Sequence, residues 1–552
     1  MYVGIKNGYT PLYRELMTEA IKATFDGKLE ETIEQIPIKC CPEGKETNLM
    51  DSIESDRKIA TIRLQTILGH DLKSVTGKEV TLKELAHQTL DRSPKQYVSL
   101  VAVIKEACHK CHGSKYQVTD GCEGCVARPC MFNCPKQAIS RVDGKAVIDQ
   151  DKCVDCGTCA KVCPFNAIQK KTTPCMDNCP VGAISKDADG TSVIDFDKCI
   201  YCGKCMLNCP FGAIVMPSQV IDVTHKIVEK KRPAIAMLAP AVMAMFDGTV
   251  KQLGQALKQL GFADIVEVAA GADVTSLMEA EEWIEHIVVN KDPLMTTSCC
   301  PAFYHAVHKH VPKLAKYVSH SGSPMHYTAE IVKKNNPDCY TVFVGPCVAK
   351  RAEGLRRPNV DYVLTAEEIL CMINAKGINL KTLPDEDASG SRLGSKEAVY
   401  YCVKEGVTQA VLASVPRSLE RFKQNGMRHI DHLVTHIDQL ESSKLEKGAA
   451  AVEPETPDGS SPKEVFIPDG ITAAAVKPVF IAPLDKKGMM QLKAYGEKPE
   501  KAPGNLIECM VCDGGCINGP GGIVRTQMGK AKIEMIKKSR MEFKDIEDVE
   551  KI

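Results

Sequence analysis

The sequence predicts an α/β domain with parallel sheets, preceded by a cysteine-rich α+β region and a mainly helical N-terminal region. Strand and helix patterns alternate after Pro217, an order typical of parallel sheet. Sixteen of the 27 cysteines lie between Cys108 and Cys209. Residues 1–95 instead carry apolar side chains near a helical period. We therefore divide the 552 residues into regions 1–95, 96–218 and 219–552.

The composition limits the classes of partner. Lys plus Arg and Asp plus Glu both number 70, so no basic surplus indicates nucleic acid or an anionic membrane. No apolar run is long enough to span a membrane. The N-terminus has neither an apolar signal core nor a twin-arginine pair. We expect a cytoplasmic protein whose thiols stay reduced and hold metal, rather than forming the disulfides of a secreted chain.

The N-terminal region 1–95 has no function that its sequence assigns. Helical periodicity is found in Pro11–Phe25, Ser52–Leu68 and Leu82–Leu90. Thr10 and Thr81 stand where N-caps are expected.

Two segments of the region 96–218 match the bacterial ferredoxin run. In that run three cysteines hold one 4Fe-4S cube and the fourth reaches a second cube. Gaps of two residues let a tight loop wrap three thiolates around one cube, and the proline after the fourth cysteine turns the chain away. The ligands predicted from these two runs are Cys153, Cys156, Cys159, Cys163, Cys199, Cys202, Cys205 and Cys209. The matches predict a ferredoxin-like electron-transfer region.

Two further pieces have the same style and end in Cys-Pro. They contribute Cys122, Cys125, Cys130, Cys134, Cys175 and Cys179. With Cys108 and Cys111 the region supplies sixteen thiols, enough for three to four 4Fe-4S clusters, but the spacing leaves their pairing open. An Ala-Ile pair follows each Cys-Pro, which indicates an internally repeated unit. Zinc is the alternative metal, above all at Cys108 and Cys111.

The region 219–552 carries cysteine loops where parallel strands should end, which is where such sheets collect ligands. The predicted strands are Ala234–Leu238, Ile265–Val268, Met295–Thr296, Tyr340–Val344, Asp361–Leu364, Val479–Ile481 and Leu506–Ile507, and the predicted helices are Val250–Leu260 and Val274–Val288. Residues 442–469 are rich in Glu, Pro, Ser, Lys and Gly, which predicts a flexible insertion.

Three of these loops together offer four thiolates, the number that a cube needs. The four are Cys300, Cys347, Cys512 and Cys516. The Gly514-Gly515 pair lets the backbone come close to a bulky inorganic ligand. Cys299 is then left beside the site without being needed for the cube.

The loops resemble the three signature motifs of the iron-iron hydrogenases. The matching stretches are Thr297-Ser298-Cys299-Cys300-Pro301, Pro346-Cys347-x-x-Lys350-x-x-Glu353 and Glu508-x-Met510-x-Cys512-x-Gly514-Gly515-Cys516. That family carries an H-cluster, which is a 4Fe-4S cube joined to a two-iron subsite with carbonyl, cyanide and azadithiolate ligands. The resemblance implies reversible reduction of protons to H₂, with electrons exchanged with ferredoxin or a similar soluble carrier. It also implies H-cluster maturation proteins as partners.

The resemblance implies a role for each matching residue. Cys300, Cys347, Cys512 and Cys516 are expected to bind the cube. Cys299 is expected to pass protons to the azadithiolate, and Lys350 to donate to a cyanide. Met510 is expected near the bridging carbonyl, and Ala239 and Pro240 along the wall of the subsite.

The proton route departs most from the resemblance. Relatives use two helix glutamates and a serine, and our alignment keeps Glu353 and Ser319 but places the helix positions on Ala280 and Trp283. Three acidic residues, Glu279, Glu281 and Glu282, are adjacent to those positions. Either the alignment is shifted or the protein uses another path.

Two other functions stay open from the sequence. A slow-turnover hydrogen or redox sensor would keep the cofactor, although sensory relatives usually add a signalling domain. A cube-only relative would serve in iron-sulfur assembly or electron transfer. Retention of Cys299, Lys350 and Met510 argues against this last function, because such a protein has no two-iron subsite for them to serve.

Overall fold

The structure is a computed structural model and describes residues 9–44, 52–72, 80–96, 100–111, 115–387, 393–425, 471–523 and 526–546. The insertion predicted at 442–469 lies outside these residues. No described helix combines the length and apolar character needed to cross a membrane. Each of the 27 cysteines is a free thiol.

The N-terminal region is helical, as predicted. Its helices are Tyr9–Phe25, Leu29–Thr32, Ile36–Cys40, Ile53–Ile67 and Leu82–Asp91. The Thr81 side chain caps the last of these by accepting from the Glu84 N–H at 3.2 Å. The cap predicted at Thr10 is wrong, because Thr10 lies inside the first helix. This first helix packs on a helix of the α/β domain, where Arg14 pairs with Glu367 at 3.0 Å.

Fifteen strands, numbered in chain order, occur in the described residues. They are β1 Ala102–Val103, β2 Tyr116–Val118, β3 Ile139–Val142, β4 Lys145–Ile148, β5 Ile168–Lys170, β6 Ile184–Lys186, β7 Ser192–Ile194, β8 Ile214–Val215, β9 Ala234–Leu238, β10 Asp264–Glu267, β11 Met295–Thr296, β12 Tyr340–Gly345, β13 Tyr362–Thr365, β14 Pro478–Ile481 and β15 Leu506–Cys509. All seven strands predicted for the α/β domain are present. Two have the predicted ends, and the ends of the other five differ by at most two residues.

The cysteine-rich region contains two copies of one small α+β module, one inserted into the other. The inner module, residues 115–171, is closed by antiparallel pairing of β2 with β5. The outer module, residues 101–111 and 173–215, is closed by β1 with β8. Each has one antiparallel hairpin, β3–β4 or β6–β7. Each also has two short helices, which are Pro129–Phe132 and Thr158–Val162 in the inner module and Pro174–Asp177 and Lys204–Asn208 in the outer one.

Two parallel sheets form the α/β domain and confirm the predicted fold class. The first has the order β10-β9-β12-β13, and the second has the order β11-β15-β14. Every neighbouring pair in these sheets runs parallel. Pro478 opens the edge strand β14, where a missing N–H removes no bond from the middle of the sheet.

Helices pack around the two sheets. They are Val220–Glu229, Pro240–Met243, Val250–Leu260, Val268–Trp283, Pro301–His310, Pro324–Asn335, Ala349–Arg356, Ala366–Ala375, Lys396–Tyr400, Gly406–Asn425, Lys486–Glu497 and Thr526–Lys538.

The long helix Val268–Trp283 starts earlier than predicted, immediately after β10. Its first turns consist largely of Ala and Gly, so they carry little apolar periodicity for a sequence to reveal. Gly271 belongs to this stretch and faces the helix Pro324–Asn335, where an added Cβ would lie 2.3 Å from the Thr328 hydroxyl. Close approach of two helices therefore accounts for the small residue at Gly271.

Candidate metal centres and proton-transfer site

Four strands, two from each sheet, end next to residues that the sequence predicts for the site. In the first sheet, β9 leads into Ala239 and β12 leads to Cys347. In the second, β11 leads to Cys300 and β15 leads to Cys512. The parallel topology thus places these four loops at the carboxyl ends of the strands, where ligands collect in such sheets, as the sequence predicted.

Four cysteines from these loops lie within electrostatic reach of one another. Burial raises the pKa of Cys512 well above its usual value, and the neighbouring charges of Cys347, Cys516 and Cys300 raise it further. Burial and the charges of Cys347 and Cys300 act on Cys516 in the same way. Thiolates gathered at such a buried place require a positively charged core to compensate them.

The donor set fits a cube rather than a single ion. Within the described chain, no three His, Cys, Asp or Glu side chains close around one metal ion. A cube does not require such closure, because each of its four cysteines binds a different iron. Sulfur-only donors also agree with iron-sulfur chemistry and disfavour magnesium or calcium.

Apolar packing encloses the space beside these cysteines. Cys299 and Cys516 pack against the core of the first sheet, which also contains Ala239 and Met510. Met510 is 3% exposed. Its N–H donates to the carbonyl of Ile481, the last residue of β14, and its carbonyl accepts from the Leu484 N–H. Pro240 begins the short helix that follows Ala239 and is buried. Ala239 and Met510 therefore share one apolar core with Cys299, and Pro240 is buried beside Ala239.

Lys350 approaches Cys299 from the helix Ala349–Arg356. Its Nζ donates to the Cys299 carbonyl at 3.3 Å and to Glu353 Oε2 at 2.6 Å. The Ser323 hydroxyl donates to the other oxygen of Glu353. Burial lowers the pKa of Lys350, but the Glu353 carboxylate outweighs it and the net pKa is raised. For Glu353 the effects have the opposite signs. Burial raises its pKa, but the positive charges of Lys350 and Arg357 outweigh burial and lower the pKa to about 2.

Glu279 lies on the other side of the Cys299 loop. Its Oε1 accepts from the Ser298 N–H at 3.1 Å, and its Oε2 accepts from the Tyr401 hydroxyl at 3.3 Å. The side chain is fully buried, and this burial raises its pKa to about 8. Burial thus favours the protonated form of this carboxyl, which is fixed next to the residue that precedes Cys299.

Glu282 lies one helical turn further and contacts the loop that contains Ser319. The Ser321 hydroxyl donates to Glu282 Oε1 at 2.8 Å, and the His320 N–H donates to Oε2 at 2.9 Å. The Ser319 hydroxyl accepts from the Ser321 N–H at 3.1 Å. The Ser298 hydroxyl donates to the Ser321 carbonyl at 2.9 Å, which ties this loop to the Cys299 loop.

The structure turns the two helix positions of our alignment away from the cysteine loops. Ala280 and Trp283 are fully buried in a separate apolar core, away from the cysteine loops. Glu279 and Glu282 face the loops instead, whereas Glu281 pairs with an arginine of another helix. The signal was present in the sequence, because acidic residues three apart lie on one side of a helix. Reasoning from the sequence also missed Ser321, since a single serine in a loop has no pattern.

The sixteen thiols of the cysteine-rich region fall into four sets of four. In the inner module, Cys134, Cys153, Cys156 and Cys159 line one small cavity, and Cys130 lies near Cys122, Cys125 and Cys163. In the outer module, Cys108, Cys111, Cys175 and Cys209 line another cavity, and Cys205 lies near Cys179, Cys199 and Cys202. Three of the sets take three cysteines from one run and a Cys-Pro cysteine from the paired run, which is the ferredoxin arrangement. The remaining set joins Cys108, Cys111 and Cys175 from two separated pieces with the Cys-Pro cysteine Cys209.

Two of the four repeated Ala-Ile pairs donate a hydrogen bond to a cysteine sulfur. The Ala138 N–H donates to Cys134 Sγ at 3.3 Å, and the Ala183 N–H donates to Cys179 Sγ at 3.2 Å. Donors of this kind favour thiolate over thiol. The isoleucine that follows each alanine is buried in the module, as Ile139 and Ile184 show. In these two pairs the repeat therefore combines a hydrogen-bond donor to sulfur with a core residue.

The outer module touches the α/β domain close to the four-cysteine site. Gly203, next to Cys202, has a positive φ of 73°, and an added Cβ would lie 2.6 Å from Pro520 and 2.7 Å from Val348. The charge of Cys202 also contributes to the raised pKa of Cys512. The set that contains Cys202 is thus next to the site at Cys512.

Comparisons with known proteins agree with this arrangement. The family described as iron only hydrogenase large subunit, C-terminal domain, matches residues 232–520, and the 4Fe-4S binding domain matches 146–169 and 192–215. The chain is 32% identical over 407 residues to the periplasmic [Fe] hydrogenase large subunit of Nitratidesulfovibrio vulgaris, covering 68% of this chain and 85% of that protein.

Two more distant likenesses were also found. The cytosolic Fe-S cluster assembly factor NAR1 of Kluyveromyces lactis is 24% identical over 268 residues, covering 43% of this chain and 53% of that protein. The structure of a variant of apo [FeFe]-hydrogenase HydA1 from Chlamydomonas reinhardtii has a TM-score of 0.42 and 21% identity, covering 60% of this chain and 93% of that one.

Proposed function

Because the chain belongs to the iron-only hydrogenase family, we propose that it catalyses the reversible reaction 2H⁺ + 2e⁻ ⇌ H₂. The observation that carries the proposal is the position of the Lys350 Nζ, 3.3 Å from the Cys299 carbonyl. A charged lysine beside a free thiol and four further thiols is what an anionic two-iron subsite next to a cube requires.

The chain's own residues would hold and orient the H-cluster. Cys300, Cys347, Cys512 and Cys516 would bind its cube. When bound, the cluster supplies the redox chemistry and the iron site at which H₂ is formed or split. Lys350, kept charged by Glu353, would donate to a cyanide. Met510, Ala239 and Pro240 would exclude water from the subsite.

Protons would move between the surface and the subsite through side chains near Cys299. Cys299 Sγ would give and take the proton nearest the reaction. Glu279, with a pKa raised to about 8, can hold a proton at neutral pH and release it without a large energetic cost. Ser319, Ser321 and Glu282 would continue the route, since their hydrogen bonds link the Ser298 loop to Glu282.

Electrons would pass one at a time through the ferredoxin-like modules. The four sets of cysteines support four 4Fe-4S clusters, and the set containing Cys202 would deliver electrons to the H-cluster. A soluble carrier of the ferredoxin type would exchange electrons with the modules, and H-cluster maturation proteins would install the two-iron subsite. We place the protein in the cytoplasm, although the relative from Nitratidesulfovibrio vulgaris is named periplasmic.

The test is anaerobic production of the full chain together with H-cluster maturation proteins. We expect hydrogen evolution from a reduced mediator, and infrared bands from carbonyl and cyanide. The Cys299→Ser variant should lose nearly all turnover while its iron content stays unchanged. A matured protein with neither turnover nor infrared bands would disprove the proposal.

The likeness to NAR1 supports one other function, assembly of iron-sulfur clusters without a two-iron subsite. In that case the matured protein would contain only cubes, and Cys299→Ser would have no effect on its spectra. A slow sensor would instead show the infrared bands with very low turnover. Infrared spectra and turnover measured on one sample therefore separate the three functions.

A further inference from the structure

Arg63, on the helix Ile53–Ile67 of the N-terminal region, is a buried cation that pairs with no carboxylate among the described residues. Arg63 is only 3% exposed. Its Nη1 has no hydrogen-bond partner, and its Nη2 lies 3.5 Å from the Phe211 carbonyl. The Tyr9 ring lies 5.2 Å from the guanidinium carbon. An arginine stays charged even when buried, so this position is costly unless an anion lies near.

The surface that Arg63 covers is the turn after Cys209. Phe211 and Gly212 belong to this turn, and an added Cβ on Gly212 would lie 2.7 Å from the Tyr9 ring. Burial lowers the pKa of Arg63, and the charge of Cys209 is one of the contributions that oppose this lowering. Ile59 of the same helix packs in one apolar cluster with Ala107 and Ala213, against which Cys108 and Cys209 also pack.

These contacts put Arg63 next to one of the four sets of thiols. Cys108, Cys111, Cys175 and Cys209 line a common cavity, and the Ser192 hydroxyl contacts both Cys175, at 3.4 Å, and Cys108, at 3.9 Å. A 4Fe-4S cube bound by four thiolates has a net negative charge. Glu367 and Glu368 line a cavity together with Arg63, but they pair with Arg14 and Arg351. Such a cube would therefore supply the anion that Arg63 does not share with another cation.

We propose that Arg63 is the counter-ion of the cube held by Cys108, Cys111, Cys175 and Cys209, and that it raises the reduction potential of this cube. Reduction adds one electron and breaks no bond, so the cube becomes more negative by one charge. A cation fixed nearby in a medium of low dielectric constant stabilises the reduced form more than the oxidised form. The N-terminal region, which the sequence left without a function, thereby covers this cube and sets its potential.

Lys186 approaches the same set from another side but is less enclosed. Its Nζ donates to the Ser192 hydroxyl at 3.1 Å, and its residue is only partly buried. Water and salt screen a partly exposed charge, so we expect Arg63 to dominate.

The test uses the full chain produced anaerobically without H-cluster maturation proteins, so that cubes are the only clusters. Redox titration followed by electron paramagnetic resonance gives the midpoint potential of each cube, and Cys209→Ser identifies the signal of this one. Arg63→Met should make that signal at least tenfold harder to reduce at a fixed potential, a lowering of about 59 mV for one electron. Arg63→Lys keeps the charge and should retain most of the potential.

Arg57→Met is the matched control, because Arg57 lies on the same helix but donates to the Cys41 carbonyl at 2.9 Å. It should leave all potentials unchanged. An unchanged potential in Arg63→Met would overturn the inference, and so would an equal shift in Arg57→Met, which would indicate general loosening. If Arg63→Met loses iron, the comparison of Arg63→Gln with Arg63→Lys decides by the same measurement.

The inference rests on the proposed cube at Cys209 and not on hydrogen turnover. Absence of infrared bands in matured protein would disprove the hydrogenase function and leave this inference intact. If Cys209→Ser removes no signal, no such cube exists and the inference fails by itself.

Discussion

The Glu279 carboxyl accepts a hydrogen bond from the Ser298 N–H at 3.1 Å, so a buried acid is hydrogen-bonded to the residue that precedes Cys299. Burial raises the pKa of this acid to about 8. The group is thus mostly protonated at neutral pH, and it loses its proton within the range that an enzyme assay can cover. This contact fixes the acid beside the Cys299 loop, where we expect it to exchange protons with Cys299.

The first prediction concerns this acid. Glu279→Gln keeps the shape but cannot exchange a proton, so hydrogen turnover should fall by about 10²-fold or more. The infrared bands and the iron content should stay unchanged. Glu281→Gln, on the same helix but paired with Arg421 at 3.0 Å, should keep most of the turnover. Equal turnover in Glu279→Gln and the unmodified chain would exclude Glu279 from the route.

The second prediction concerns the buried pair of Lys350 and Glu353. Their side chains are 12% and 7% exposed, and the contact is 2.6 Å long. Glu353→Gln leaves the lysine charge without its anion, which should cost about 3 kcal/mol of unfolding free energy in protein that lacks the two-iron subsite. Urea denaturation measures this.

An exposed pair serves as the control for this second measurement. Lys313 and Glu497 are 2.9 Å apart, with side chains 66% and 64% exposed. Glu497→Gln should change the free energy of unfolding by no more than about 1 kcal/mol. Similar losses in both variants would show that the Lys350 pair is not special.

The third prediction tests the contact between the outer module and the site at Cys512. Gly203→Ala places a Cβ against Pro520 and Val348, at a φ of 73°. The loop must then shift, and H₂ should bleach the visible absorption of the cubes more slowly. Gly182→Ala shares the positive φ, 64°, but meets no atom within 4 Å. It should cause a smaller change, and equal rates in both variants would contradict the predicted role of the contact.

The fourth prediction is a pH dependence of stability in the N-terminal region. Burial lowers the pKa of His70 to about 4, and its Nε2 lies 2.9 Å from the Leu85 carbonyl. Between about pH 6.5 and 4 the unfolded chain binds a proton that folded His70 does not. Stability should therefore be complete above pH 6.5 and fall as the pH decreases.

At about pH 5.5 this loss should amount to about 1.4 kcal/mol, and His70→Gln should remove it. Thermal unfolding at about pH 7.5 and 5.5 gives the comparison. His87→Gln is the control, because His87 is exposed and its hydrogen bond with Glu30 raises its pKa. If His70→Gln and the unmodified chain lose equal stability on acidification, the burial of His70 is not the cause.

The sequence by itself determined the kind of ligand and the place of each ligand in a strand-loop pattern. Cysteine spacing predicts a cube, because cysteines separated by two residues can bind one cluster from a single tight loop, as in the run from Cys153 to Cys163. Alternating strands and helices predict parallel sheets, and the parallel pairing of β12 with β9 and of β15 with β14 confirms this. These features depend on neighbours in the chain, which a sequence displays.

The tertiary structure alone decided which distant residues meet. One module is inserted into the other, so Cys111 and Cys175 share a cavity although an entire module separates them in the chain. Helix packing turns Glu279, and not Ala280, toward Cys299. A buried cation such as Arg63 leaves no pattern in the sequence, because only folding shows that it pairs with no carboxylate of the described residues and that the charge of Cys209 acts on it.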